Sequence, residues 1–150
     1  MTADPVGEFW RSFVEATGID GAHSAWGFAS GPLMTELGLL VRDGPKRATA
    51  GLLADYEQDG EPLPQPGDLS VILDEQGRPL CVIRTTAVEV RRFGDVDEEF
   101  AWTEGEGDRG LAYWREAHLR FFASAGHRVD DDSLLVLERF ELLWPLPPPN

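Results

Sequence analysis

The chain has 150 residues, with 13 Lys and Arg against 27 Asp and Glu, a net charge of −14. Non-specific nucleic-acid binding depends on basic residues that displace counterions from phosphates, so this balance opposes it and repels polyanions at long range. The length fits one domain. No apolar run approaches the roughly 18 residues of a membrane span, and Met1-Thr2-Ala3-Asp4-Pro5 is not a basic segment leading into an apolar one; a cytoplasmic location with no membrane partner is the expectation.

Val6 to Ala16 reads as an amphipathic helix (about residues 6–17), with Phe9, Trp10, Phe13 and Val14 on one stripe and Gly18 as its stop. His23-Ser24-Ala25-Trp26-Gly27-Phe28 is a loop or short strand whose aromatics either plug a core or stack on a flat ligand. Pro32 starts a second helix, buried through Leu33, Leu37, Leu40 and Val41 and broken by Gly44-Pro45. Ala48 to Ala54 reads as a weak strand, and Tyr56 to Gln65 as a surface loop because Pro62, Pro64 and Pro66 forbid regular structure there. Leu69 to Asp74 and Leu80 to about Val90 form a hairpin around Glu75-Gln76-Gly77-Arg78. Arg84, Arg91 and Arg92 on its return strand read as edge charges that discourage sheet-to-sheet pairing. Cys81, alone of its kind, lies in this apolar run and reads as a small buried hydrophobe.

Asp95 to Asp108 holds seven acidic residues and no basic one. A short helix over about Val96 to Trp102 suits them, and Thr103-Glu104-Gly105-Glu106-Gly107-Asp108 reads as a loop. Leu111 to Ala125 is a third main helix, with Leu111, Trp114, His118, Phe121 and Phe122 on one face; His118 reads as a hydrogen-bonded core residue. Leu134 to Trp144 is a last strand, followed by a Pro-rich tail over 145–150. Helices on either side of a β-hairpin section argue an α+β class.

The chemistry concentrates in Asp43-Gly44-Pro45-Lys46-Arg47-Ala48-Thr49-Ala50, where an amine, a guanidinium and a hydroxyl fall within four residues of a loop. Residues three apart point opposite ways on a strand, so Lys46 belongs to the loop and Thr49 to the strand. One cysteine and three scattered histidines make no zinc pattern. No phosphate-binding glycine motif is present, and Glu104, Glu106 and Asp108 lack the calcium-loop spacing. Neither metal nor cofactor is expected, and no feature fixes an oligomeric state.

Gly44-Pro45-Lys46-Arg47-Ala48-Thr49 resembles the Gly-x-Lys-x-x-Thr signature of ASCH domains. Trp26-Gly27-Phe28, Phe100-Ala101, Glu104-Gly105-Glu106-Gly107-Asp108, Trp114-Arg115-Glu116-Ala117-His118 and Phe121-Phe122 resemble the YhfF-like branch, over about Trp26 to Trp144. Two departures are Pro45 within the signature and Gly110 where the branch carries a serine able to cap the next helix. The resemblance implies a PUA-like fold, a small mixed β-barrel with flanking helices. It further implies an amidohydrolase acting on a small N-acylated nucleoside such as acetylcytidine, with Lys46, Thr49 and Glu104 catalytic. Trp26, Phe28, Arg47, Glu106, Asp108 and Arg115 are then the substrate contacts. The alternative is an RNA-binding or ribonuclease module, with Lys46, Arg47 and Arg115 on phosphates and Trp26 or Phe28 on a base. In the hydrolase reading Thr49 is the nucleophile or positions a water. Lys46 is the base if burial and Arg47 lower its pKa, or a fixed cation beside a proton-carrying Glu104 if that carboxylate dominates.

Overall fold

The computed structural model describes residues 4–146, so the start of the chain and most of the Pro-rich tail lie outside the described residues. Helix α1 (Pro5–Thr17) is followed by β1 (His23–Trp26), α2 (Pro32–Asp43), β2 (Ala48–Leu52) and α3 (Leu53–Asp59). Then come β3 (Leu69–Leu73), β4 (Pro79–Arg92), α4 (Glu98–Glu104), α5 (Leu111–Ser124) and β5 (Leu134–Trp144). The strands form one mixed sheet in the order β1-β3-β4-β5-β2, with β1 parallel to β3 and the other pairs antiparallel. This is the α+β, PUA-like arrangement that the resemblance implies. Among the described residues no helix is long and apolar enough to cross a membrane.

The central strands read as continuous apolar runs because both of their faces are covered. Successive strand residues point to opposite faces. Val71 and Val82 meet Trp10 and Phe13 of α1, whereas Ile72, Cys81 and Ile83 meet Leu37 and Val41 of α2. Helix α1 is well specified locally: Asp4 accepts the Gly7 N–H at 3.0 Å, Pro5 occupies the first turn, and Gly18 stops the helix at φ +76°. A third apolar cluster joins Leu135 and Leu137 of β5 to Phe100, Trp114 and Phe122 of α4 and α5. Cys81 is fully buried, and burial pushes its thiol up to about 12, which leaves it inert as expected of a core residue.

Three sequence expectations change. The chain leaves β2 at Leu52 and turns directly into α3, where a strand to Ala54 and then a loop were expected; Gly60 closes this helix at φ +66°. Helix α4 begins at Glu98 rather than near Val96, because Phe93–Asp95 form a 3-10 turn and Asp97 caps the helix by accepting the Phe100 N–H at 2.9 Å. Strand β4 is not an edge: at Arg84 it lies between Leu69 and Glu141, and the Arg84 guanidinium pairs with Glu141. Arg91 and Arg92 lie past the end of β3, where β4 pairs only with β5, and engage Glu89 and Asp132.

Phe13 is fully buried under the sheet. Phe13→Ala is expected to cost about 3–5 kcal/mol, read by urea denaturation; a loss under about 1 kcal/mol would mean that α1 is only loosely attached.

Candidate active site

The loop after α2 is stitched into the fold by its backbone. Lys46 N–H donates to Leu40 O at 3.3 Å and Arg47 N–H to Thr103 O at 2.8 Å, while Arg47 O accepts from Phe140 N–H at 3.0 Å. The acidic loop packs flat on this segment. Gly105 has φ +73°, and a Cβ there would lie 2.8 Å from both N and Cα of Lys46. Only glycine fits such an approach in that conformation.

Lys46 is 1% exposed. Its ammonium donates to Glu106 Oε2 at 2.7 Å and to Ala48 O at 2.8 Å, and lies 5.3 Å from the Phe28 ring centroid. Glu104, the expected third catalytic residue, is also 1% exposed and belongs to the same cluster: its Oε2 accepts from Trp114 Nε1 at 2.8 Å and faces His118 Nε2 at 3.1 Å. His118 Nδ1 donates to Trp114 O at 2.8 Å, and the ring stacks on Trp114 at 4.1 Å. Burial works against the Glu104 carboxylate, but Lys46 and His118 outweigh it and hold the group below its usual range. Burial also opposes the His118 imidazolium, yet Glu104 lifts its pKa above the ordinary value. Glu106 moves the opposite way to Glu104: burial pushes it up, Lys46 pulls it down, and the neighbouring negative charge of Glu104 leaves it raised. Of two carboxyls beside one ammonium, Glu104 is thus held more firmly as the anion and Glu106 less so. Ligand atoms of Glu104, Glu106 and His118 lie within 4.8 Å of one another, a spacing a metal ion could use. The Lys46 ammonium supplies the positive charge against Glu106 instead.

Thr49 lies elsewhere in the same region. A cavity of about 730 Å³ opens between the sheet's two edge strands, lined by Trp26 and Phe28 from β1 and its following loop and by Thr49 to Leu52 from β2. Tyr56 of α3 closes one side, and Ser70, Thr85 and Glu138 form the floor. The inward face of each central strand changes character along its length: Ile72 gives way to Ser70, Ile83 to Thr85, and Phe140 to Glu138. Helix α2 covers the apolar end of that face, and the cavity occupies the polar end. Glu138 is directly across the ladder from Thr49, and its Oε2 accepts from Thr85 Oγ1 at 2.6 Å. The sequence reading missed Glu138, Thr85 and Tyr56; a polar residue continuing an inward apolar alternation was the available signal.

Of the expected substrate contacts, Trp26 and Phe28 line the cavity. The Arg47 guanidinium turns inward to Val41 O at 3.0 Å and Lys46 O at 2.6 Å, where it serves the end of α2. Glu106 is held by Lys46. Asp108 accepts the Gly110 N–H at 2.7 Å in the turn before α5, and that helix begins at Gly110 without a side-chain cap. Arg115 is exposed and reaches Gly94 O at 3.3 Å. None of these four belongs to the cavity lining. Lys46, Glu106, Glu104 and His118 form one buried cluster; Thr49 joins it only through the Ala48 carbonyl that Lys46 holds.

The profile of the ASCH domain matches residues 24–144, and the chain belongs to that family. A solved ASCH domain from Lactobacillus crispatus JV V101 is 32% identical, over 95% of this chain and 96% of that one, with a TM-score of 0.83. Protein EF3133 from Enterococcus faecalis V583 is 37% identical, over 93% of this chain and 90% of that one, with a TM-score of 0.79. No match is found among curated proteins.

Two consequences are measurable. Gly105→Ala is expected to cost about 1–3 kcal/mol from its backbone conformation alone, read by chemical denaturation; an unchanged midpoint would show that the two loops do not need this contact. A histidine whose folded pKa is raised adds stability that is complete below its unfolded value and is lost as pH rises through the folded value. Wild type should therefore lose more stability than His118→Gln as pH rises above the ordinary imidazole value of about 6.5; parallel curves would remove the Glu104–His118 charge pairing.

Proposed function

We propose that the chain is an amidohydrolase that acts on a small, uncharged N-acylated nucleoside such as acetylcytidine. The carrying observation is the composition of the cavity beside Thr49. Its carboxyl groups are Asp55, Asp59, Glu61, Asp68 and Glu138, and no lysine or arginine lines it. A phosphate group would meet only negative charge there, whereas a neutral nucleoside finds aromatic walls in Trp26 and Tyr56 and hydroxyls in Thr49, Ser70 and Thr85.

The Thr49 hydroxyl attacks the acyl carbon while its proton passes through a bound water to the departing amine, and a second water then cleaves the ester, releasing the acid and restoring the hydroxyl. The Lys46 ammonium, bound to the carbonyl just ahead of Thr49, is a fixed positive charge that favours the oxyanion. Glu106 pairs with that ammonium at 2.7 Å and holds it in place behind the cavity wall. Glu104 holds its place through Trp114 and His118. The alternative RNA-binding or ribonuclease module draws less support, since Lys46 and Arg47 spend their charges on internal partners.

Purified protein incubated with acetylcytidine should release cytidine, and Thr49→Ala should slow release by at least about a hundredfold while leaving the melting temperature unchanged. No cytidine release by wild type would overturn the proposal. Salt-sensitive binding of an RNA oligonucleotide in its place would transfer the case to the alternative.

A further inference from the structure

The polar floor of the cavity holds one carboxyl that the proposed chemistry does not use. Glu138 is 5% exposed, yet it lines the cavity. Its Oε2 accepts the Thr85 hydroxyl at 2.6 Å, and its Oε1 has no hydrogen-bond partner among the described residues. No side-chain oxygen or nitrogen sealed from solvent lacks a partner among those residues, so Oε1 opens into the cavity rather than into the core. A buried carboxyl with one oxygen anchored and the other presented to a hollow is built to receive a ligand.

We propose that Glu138 is the specificity-determining residue of the cavity, and that its carboxyl takes the paired ring-nitrogen and exocyclic N–H edge of a flat heterocycle held between Trp26 and Tyr56. The inference rests on the nucleoside reading above and deepens it. Burial pushes the Glu138 carboxyl up and Asp68 pushes the same way, against the Thr85 hydrogen bond. The protonated form offers Oε1–H as donor, and beside it Oε2 has a second lone pair besides the one that accepts the Thr85 hydroxyl. That pattern complements a cytosine-type edge, where a bare ring nitrogen adjoins an N–H. Thr49 sits across the ladder from Glu138. Directly opposed residues bring their Cβ atoms to about 4.5–5.5 Å, so the residue that reads the base also sets the exocyclic nitrogen beside the attacking hydroxyl.

The test is calorimetric titration of the full chain with cytidine and with 3-deazacytidine, in which a C–H replaces the ring nitrogen. Neither compound can be hydrolysed, so binding is read apart from turnover. Wild type should prefer cytidine by at least about tenfold. Glu138→Gln, whose amide keeps a donor beside an acceptor, should retain the preference, and Glu138→Ala should bind both nucleosides equally. Equal affinities in wild type, a preference that survives Glu138→Ala, or no binding of either nucleoside overturns the inference. A Glu138-dependent preference in a protein that never cleaves acetylcytidine keeps the inference and removes only the hydrolase. Cleavage with no such preference does the reverse.

Discussion

A lysine removed from water must have its charge answered, and in this chain the answer comes from Glu106, sixty residues further on. Much of the site follows from that requirement. Lys46 lies on the loop between α2 and β2, and Glu106 lies past α4, so the ion pair holds two distant segments against each other. Gly105 allows the contact, because any side chain would collide with the backbone it must touch. Breaking one partner of such a pair leaves an uncompensated buried charge, which is far more costly than the pair is stabilising. The second carboxylate, Glu104, answers to Trp114 and His118 and thereby fixes α5 to α4.

Much of this arrangement was legible. The stripes of α1, α2 and α5 and the hairpin of β3 and β4 follow from spacing, and the Lys46 loop stood out by its chemistry. Helix α3 was not legible, since prolines just beyond it and a β-like run just before it outweigh seven residues of mixed character. Which glutamate meets Lys46 was not legible either. Glu104 and Glu106 are two residues apart, and only the left-handed turn at Gly105 decides that the second one faces the lysine. His118 was read as a hydrogen-bonded core residue, and it is one; its partner across the helix pair is the very glutamate expected to act on substrate. Glu138 escaped notice because a charge inside a strand reads as solvent-facing until the neighbouring strands supply Thr85 and Thr49 beside it.

The surface and the cavity share a sign of charge, but the buried cluster does not. The net charge of −14 spreads over the exterior, and the carboxyls of the cavity extend it inward. Immediately behind that wall, the Lys46 ammonium is paired with Glu106 and the His118 ring with Glu104. A neutral ligand passes such a gradient without penalty, whereas a multiply charged anion meets repulsion before it can reach the buried cation.

Helix α3 forms an outer flank of the cavity and has no fully buried side chain. Beyond its own turn, Asp55 meets His127 Nε2 at 3.2 Å, between side chains that are both partly exposed. Local unfolding draws on elements with few buried contacts, so the amides of α3 should exchange with solvent deuterium well ahead of those in β3, β4 and β5. The hollow is thus bounded by the strands on one side and on the other by one short helix with no fully buried side chain, so the two walls of a single cavity differ in how firmly they are held.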